Sequence, residues 1–206
     1  MISEKQRSAE AACEYVKDGM IVGLGTGSTA EFAVKKIGEL VRNGLSIRGI
    51  PTSDATKILA ESEGIPLIDF SETMSIDLTI DGADEIDANL NMIKGGGAAL
   101  LREKIVASAS REEIIIVSVS KLVQQLGAFP LPVEVIPFGW QVVFNQLESL
   151  QGNPELRLKQ GQPSVTDQGN FIVDCHFRKI ENPEQLEQHL NMIPGVVENG
   201  LFINLC

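Results

Sequence analysis

The fold is decided by a short stretch near the start of the chain, MIVGLGTGSTA at residues 20–30. It begins as an apolar run, becomes rich in glycine after Val22, and leads into a segment whose apolar residues recur at helical spacing from Phe32 to Val41. This order predicts a strand, a glycine loop and a helix. Glycines let the backbone approach a ligand, and a helix start offers free N–H groups, so the loop is a candidate phosphate site. A plain turn that caps the helix is the alternative. The loop residues concerned are Thr26, Gly27, Ser28 and Thr29.

The strand and helix order continues on both sides of this stretch. Strands are predicted at 45–50, 66–68, 76–80 and 114–119, and helices from Ser3 onward, at 54–63 and at 98–109. Apolar strands that alternate with helices indicate an α/β fold with a Rossmann-like, mainly parallel sheet. Ligands of such sheets bind beyond the carboxyl ends of the strands, where we place Gly23, Asp81 and Lys121.

The pattern changes at Phe129, where the sequence reads FPLP. Strands at 133–136 and 155–159, a strand pair within 165–174, helices at 142–150 and 183–192, and a closing strand after Gly195 are predicted from here on. We interpret this part as a smaller α+β domain of ferredoxin-like type. The expected domains are a Rossmann-like catalytic domain, 1–128 plus 200–206, and a small domain, 129–199.

Charge and composition exclude several classes of partner. A net charge of -11 argues against nucleic acid and anionic membranes. The most apolar run, Ile114 to Val119, is too short to span a bilayer, and the first twenty residues lack the apolar core of a signal peptide. Three widely spaced cysteines fit a reducing cytoplasm. An anionic substrate must therefore be bound by local donors.

A second motif, DGADEID at residues 81–87, places four carboxylates directly after an apolar strand. Clustered carboxylates disfavour one another's ionised form, so one can act as an acid or base while others bind sugar hydroxyls. A solvated acidic turn is the alternative. A calcium loop does not fit, because Met92 and Ala98 stand where its glycine and glutamate belong.

A third motif, KGGGAALLREK at residues 94–104, carries three consecutive glycines. Bare backbone at a helix start, next to the cation of Lys94, favours a ligand cradle over a flexible loop. Taken alone, Glu103 would be a surface charge beside Arg102 and Lys104. That interpretation is weakened because Glu103 shares a helical row with Ala99, Val106 and Ala107. On such a row the carboxylate would be desolvated, which makes it a stronger base.

The glycine loop also fits a dinucleotide fingerprint, since Gly25, Gly27 and Ala30 have its spacing. The following strand ends at Ile50-Pro51-Thr52, without the acidic residue that holds a ribose. A monophosphate is therefore favoured over NAD.

Taken in order, the three motifs, Ser120-Lys121 and the FPLPVEV segment at 129–135 closely resemble type A ribose-5-phosphate isomerase. The resemblance covers nearly the whole chain. It implies interconversion of D-ribose 5-phosphate and D-ribulose 5-phosphate, without a metal or organic cofactor, by a cytoplasmic homodimer or homotetramer of the pentose phosphate pathway.

The resemblance also implies roles for individual residues. Glu103 would be the catalytic base, and Asp81 and Lys94 would assist ring opening. The phosphate would lie on the glycine loop with Lys5, and hydroxyl groups or negative oxygens would be bound by Asp84, Lys94 and Lys121. The remaining residues expected to line the substrate are Gly82, Ala83, Gly95, Gly96 and Gly97.

Two alternatives stay open at this point. Family members usually continue past Gly200–Phe202 through another strand segment, which leaves room for a non-catalytic sugar-phosphate sensor on the same scaffold. An acyl-CoA-transferase-like enzyme with a glutamate nucleophile is the other, although it would not explain the phosphate loop.

Overall fold

The computed structural model of the chain describes residues 2–205; Met1 and Cys206 lie outside this range. The α-helices in this range are α1 (Glu4–Cys13), α2 (Ala30–Arg42), α3 (Asp54–Ser62), α4 (Leu100–Ser108), α5 (Trp140–Ser149) and α6 (Pro183–Asn191). The first strands are β1 (Ile21–Leu24), β2 (Arg48–Pro51), β3 (Leu78–Asp81), β4 (Glu85–Ile86), β5 (Met92–Ile93) and β6 (Glu113–Ile115). Then follow β7 (Leu131–Val135), β8 (Pro154–Leu156), β9 (Leu158–Lys159), β10 (Gln162–Pro163), β11 (Phe171–Cys175), β12 (Val196–Asn199) and β13 (Leu201–Phe202).

One compact unit, formed by residues up to Ala83, 102–120 and Leu205, contains a parallel sheet in the order β2-β1-β3-β6. An isolated parallel bridge between Gly49 and Leu67 extends its edge beyond β2. From β1 the chain adds β2 on one side, and it then adds β3 and β6 on the other side. The order of strand addition therefore reverses between β1 and β3, as in a Rossmann-like fold. The glycine loop follows β1 and Asp81 ends β3, so both lie at this switch point, where ligands of such sheets bind.

The second unit, formed by 84–101 and 121–204, contains an antiparallel sheet in the order β12-β7-β11-β8. In chain order its elements are β7, α5, β8, β11, α6 and β12, which is the ferredoxin-like arrangement that the sequence predicted. Leu131, Val133 and Val135 of β7 pack with side chains of α5 and α6 in one apolar core. A smaller sheet, β13-β5-β4, belongs to the same unit.

The prediction of a strand at 114–119 that ends at Lys121 was wrong. β6 ends at Ile115, opposite Asp81, because its neighbour β3 ends there. Ile116 still donates to the Asp81 carbonyl, and the chain then forms a 3₁₀ turn over Val119–Lys121.

The domain boundaries predicted at 128 and 200 stay a prediction. By contacts, the segments 84–101, 121–128 and 200–204 group with the second unit, because β13 pairs with β5 and β5 pairs with β4. Among the described helices, none has the length and apolar character that a membrane span requires.

Candidate active site

The glycine loop of the first unit presents donors at the start of α2. Gly27 has φ +115°, a conformation that glycine adopts easily, and its carbonyl accepts the Glu31 amide. Within residues 2–205 the amides of Gly27, Ser28 and Thr29 donate to no protein acceptor. Lys5 of α1 reaches this loop, since its Nζ donates to Ser28 Oγ at 2.6 Å. Free amides, a hydroxyl and an ammonium group are the donors that a phosphate needs.

A cluster of buried hydroxyls supports the loop from β2 and α3. Thr26 Oγ1 lies 2.7 Å from Thr52 Oγ1, 2.8 Å from Ser53 Oγ and 3.1 Å from Thr56 Oγ1. Thr56 Oγ1 also donates to the Gly25 carbonyl, at 2.9 Å. Thr26 therefore anchors the loop, and Ser28 is its exposed hydroxyl. The sequence analysis did not predict this cluster. The available signal was the pair of hydroxyl residues Thr52-Ser53 directly after β2, where a dinucleotide-binding fold would carry an acidic residue.

Asp81, at the end of β3, is 1% exposed and ties two of the motifs together. Its Oδ1 accepts the Thr26 amide at 3.0 Å and the Gly82 amide at 2.7 Å. A carboxylate held by backbone donors at a switch point has a fixed orientation.

Glu103 lies on α4 and is 4% exposed. Its neighbours on the helical row, Ala99, Val106 and Ala107, are also buried, so the burial predicted for Glu103 is confirmed. A buried carboxylate is unusual, because removing the charge from water costs several kcal/mol unless the protein compensates for it.

In the second unit, Asp84 is in direct contact with the three consecutive glycines Gly95–Gly97, here called the glycine cradle. Asp84 Oδ2 accepts the Gly96 amide at 2.8 Å. Lys94 is 2% exposed; its amide donates to the Gly200 carbonyl, and its Nζ lies 5.3 Å from the centre of the Phe202 ring. An ammonium group held against an aromatic face has restricted orientations.

Two further polar residues, Lys121 and Glu85, have different surroundings. Lys121 lies in the 3₁₀ turn, with its Nζ 5.4 Å from the centre of the Phe129 ring. Glu85 of the acidic motif is structural: its two carboxylate oxygens accept the amides of Gly127 and Phe129. The acidic motif is thus neither a solvated turn nor a set of equivalent acids.

Comparison with known proteins identifies the family. A family model described as ribose 5-phosphate isomerase A (phosphoriboisomerase A) matches residues 48–206. A relative from Bacillus mycoides, named ribose-5-phosphate isomerase A, is 52% identical over 206 residues, covering 100% of this chain and 93% of that protein. The chain belongs to the ribose 5-phosphate isomerase A family.

Solved structures of other isomerases agree with this assignment. Ribose 5-phosphate isomerase A from Methanocaldococcus jannaschii has a TM-score of 0.94 and 43% identity, and the match covers 98% of this chain and 91% of that one. A D-ribose-5-phosphate isomerase described in complex with phospho-erythronic acid has a TM-score of 0.95 and 41% identity, with the same coverage. The α/β fold predicted for the isomerase is confirmed, and neither the sensor nor the transferase alternative gains support.

Proposed function

We propose that this isomerase interconverts D-ribose 5-phosphate and D-ribulose 5-phosphate with Glu103 as the base. The observation that carries the proposal is a carboxylate with 4% exposure on the helix that follows the glycine cradle. Removal of a carboxylate from bulk water disfavours its charged form and so makes it a better proton acceptor, which a carbon acid requires. Family membership supplies the substrate class.

The phosphate of the substrate would bind to the loop of the first unit. The amides of residues 27–29, the Ser28 hydroxyl and the Lys5 ammonium would surround its oxygens, at the positive end of the α2 dipole. Because the chain carries a net charge of -11, this local set of donors has to overcome a repulsive overall field.

The proton transfer would run between two neighbouring carbons. In the open-chain aldose, Glu103 takes the proton from C2, and the electrons form a C1–C2 enediolate with negative charge on O1. Glu103 then returns the proton to C1 while the O2 proton passes to O1, so that the C2 carbonyl and the C1 hydroxymethyl group form together. No other redox partner is needed, because C1 is reduced as C2 is oxidised.

The enediolate needs donors aimed at its oxygens. We assign this task to Lys94, Lys121 and the amides of the glycine cradle, and we assign the binding of a sugar hydroxyl to Asp84. The related structure with phospho-erythronic acid supports this proposal, because that ligand carries a planar anionic carboxylate on a phosphorylated sugar chain. Asp81 and Lys94 would assist ring opening by moving a proton from the O1 hydroxyl to the ring oxygen.

Two further expectations belong to the proposal. We propose a homodimer or homotetramer, supported by large apolar side chains that the chain leaves exposed, among them Ile58, Val119 and Phe138. A cytoplasmic location is supported by the free thiols of Cys13 and Cys175. Light scattering coupled to size exclusion tests the assembly.

A coupled assay that detects ribulose 5-phosphate tests the function. The wild-type chain is expected to form ketose from ribose 5-phosphate, and to exchange the transferred hydrogen with deuterium in D₂O. Binding of ribose 5-phosphate without any ketose on long incubation would instead support a sensor.

A further inference from the structure

Arg157 connects the sheet of the second unit to the glycine cradle. It lies between β8 and β9, where its amide donates to the Ile172 carbonyl at 2.9 Å and its carbonyl accepts the Ser164 amide at 2.8 Å. Its side chain is 18% exposed. The backbone of Arg157 is therefore held by hydrogen bonds on both sides, which limits the movement of its side chain.

The guanidinium group divides its donors between a carboxylate and the cradle. Nε donates to Asp174 Oδ2 at 2.8 Å, and Nη2 donates to Asp174 Oδ1, so the pair is bidentate. Nη1 donates to the carbonyls of Gly95, at 2.9 Å, and Gly96, at 3.2 Å. Asp174 thus aligns the planar guanidinium group, and Nη1 of the same group holds the glycine cradle.

These two contacts determine which way the cradle's amides point. In a planar trans peptide the C=O and N–H groups point in opposite directions. With the Gly95 carbonyl on Arg157, the Gly96 amide points away and meets Asp84 at 2.8 Å. With the Gly96 carbonyl on Arg157, the Gly97 amide also points away. Gly97 is exposed, and within residues 2–205 its amide donates to no protein acceptor.

The cradle's backbone would not keep this shape without support. Gly95 has φ +98°, and Ala98 has φ +60°, which is uncommon for a residue with a side chain. The Ala98 amide closes the turn on the Gly95 carbonyl at 3.0 Å, the same oxygen that Arg157 contacts. A strained turn persists only where surrounding groups hold it.

We propose that Arg157, aligned by Asp174, is a positioning residue that orients the Gly97 amide as a donor to a substrate oxygen that gains negative charge in the enediolate. This role rests on the proposed function, in which the cradle binds the sugar. Without Arg157 the two peptide planes could rotate, and a donor that is displaced by about 1 Å loses most of its effect on the transition state.

The test compares Arg157→Ala and Arg157→Lys with Arg42→Ala. Arg42 is a matched control, because it also donates to a backbone carbonyl and a carboxylate, both of Glu63, outside either predicted binding loop. We expect Arg157→Ala to lower kcat by about 10-fold or more, with KM within about 2-fold, since the lost interaction belongs to the transition state. Arg157→Lys cannot reproduce the fork and should lower kcat by at least about 5-fold. Arg42→Ala should keep kcat within about 2-fold.

Two readouts separate positioning from a general loss of structure. The inhibition constant of inorganic phosphate should be unchanged in Arg157→Ala, because the phosphate loop belongs to the first unit. Methylguanidinium at millimolar concentration should restore part of the lost kcat in Arg157→Ala and none in Arg42→Ala.

Normal kcat in Arg157→Ala would overturn the role, as would a loss of phosphate inhibition that parallels the loss of kcat. If Arg157→Ala does not fold, Arg157→Lys decides, and normal kcat in that variant overturns the role. An inactive wild-type chain would refute the proposed function itself, whereas an active wild type with an equally active Arg157→Ala would refute this role alone.

Discussion

Gly25 packs directly against Asp81, so that a methyl group at residue 25 would lie 2.2 Å from Oδ1 and 2.6 Å from Cα of Asp81. The strand end of Asp81 cannot yield, because it is buried and paired with β6. We therefore expect Gly25→Ala to lower the melting temperature by roughly 2–12 °C, since overpacking costs about 1–3 kcal/mol and a chain of this size loses about 2–4 °C per kcal/mol.

Circular dichroism during heating measures this change. Gly64→Asn is the control, because Gly64 has φ +76°, which asparagine tolerates, and open space for a side chain. Equal melting temperatures for wild type and Gly25→Ala would show that the contact is not tight.

Gly96→Ala should separate activity from stability. The added methyl group would lie 2.7 Å from Asp84 Oδ1, but it would meet only the end of a side chain that can rotate. The melting temperature should change by less than about 3 °C, while kcat/KM should fall by about 10-fold or more, because Asp84 leaves its position. A variant with full activity would argue against a role for Asp84 on the substrate.

Lys5 should contribute to phosphate binding through charge. Lys5→Gln removes the ammonium group next to Ser28, and a charge-assisted hydrogen bond of about 1.5–3 kcal/mol predicts a KM raised by about 10-fold or more. The inhibition constant of inorganic phosphate should rise in parallel.

Lys36→Gln changes the net charge equally, but it removes an ammonium group that pairs with Glu39 on the surface of α2. Its KM should remain close to that of the wild type. A similar rise in both variants would point to the overall field and not to a specific contact.

Glu134 should make stability depend on pH. Burial raises the pKa of its carboxyl, with Glu198 and Asp167 acting in the same direction and donors from Asn170 and Thr166 opposing it. Between the ordinary pKa of glutamate and this raised value, the folded chain binds more protons than the unfolded chain. The contribution of Glu134 to the free energy of unfolding therefore falls as the pH rises through that window.

The glutamine of Glu134→Gln does not titrate. The free energy of unfolding of this variant should therefore increase relative to that of the wild type as the pH rises above 4.5, the ordinary pKa of glutamate. A tenfold difference in proton affinity between the folded and the unfolded chain corresponds to about 1.4 kcal/mol, which urea unfolding at several pH values can measure. Glu155→Gln, at an exposed carboxylate, should show no such trend. Parallel curves for Glu134→Gln and wild type would contradict the assignment.

The sequence was sufficient for the fold class because periodicity and glycine positions are local signals. It could not locate the end of β6, since that end depends on where the neighbouring β3 stops, a non-local fact. It also predicted one strand at 155–159, which the structure breaks at Arg157 between β8 and β9. The interruption carries the residue that holds the cradle.

The residues of the candidate site were predicted from sequence motifs. Motifs alone do not show which of these residues contact one another in the fold. Nothing in the spacing distinguished Glu85, which is buried and accepts the amides of Gly127 and Phe129, from Asp84, which is only partly buried and accepts the Gly96 amide. The burial of Glu103 was predictable, because it shares a helical row with small and apolar residues. The link from Arg157 to the cradle joins residues about sixty positions apart and had no sequence signal.

The central claim is that Glu103 moves the proton between C1 and C2, and deuterium exchange in D₂O, followed by proton NMR, tests it most directly. In Glu103→Gln, we expect the exchange and the turnover of ribose 5-phosphate to fall together by at least about 100-fold, while inorganic phosphate still binds. Near-normal exchange and turnover in a folded Glu103→Gln variant would contradict the claim.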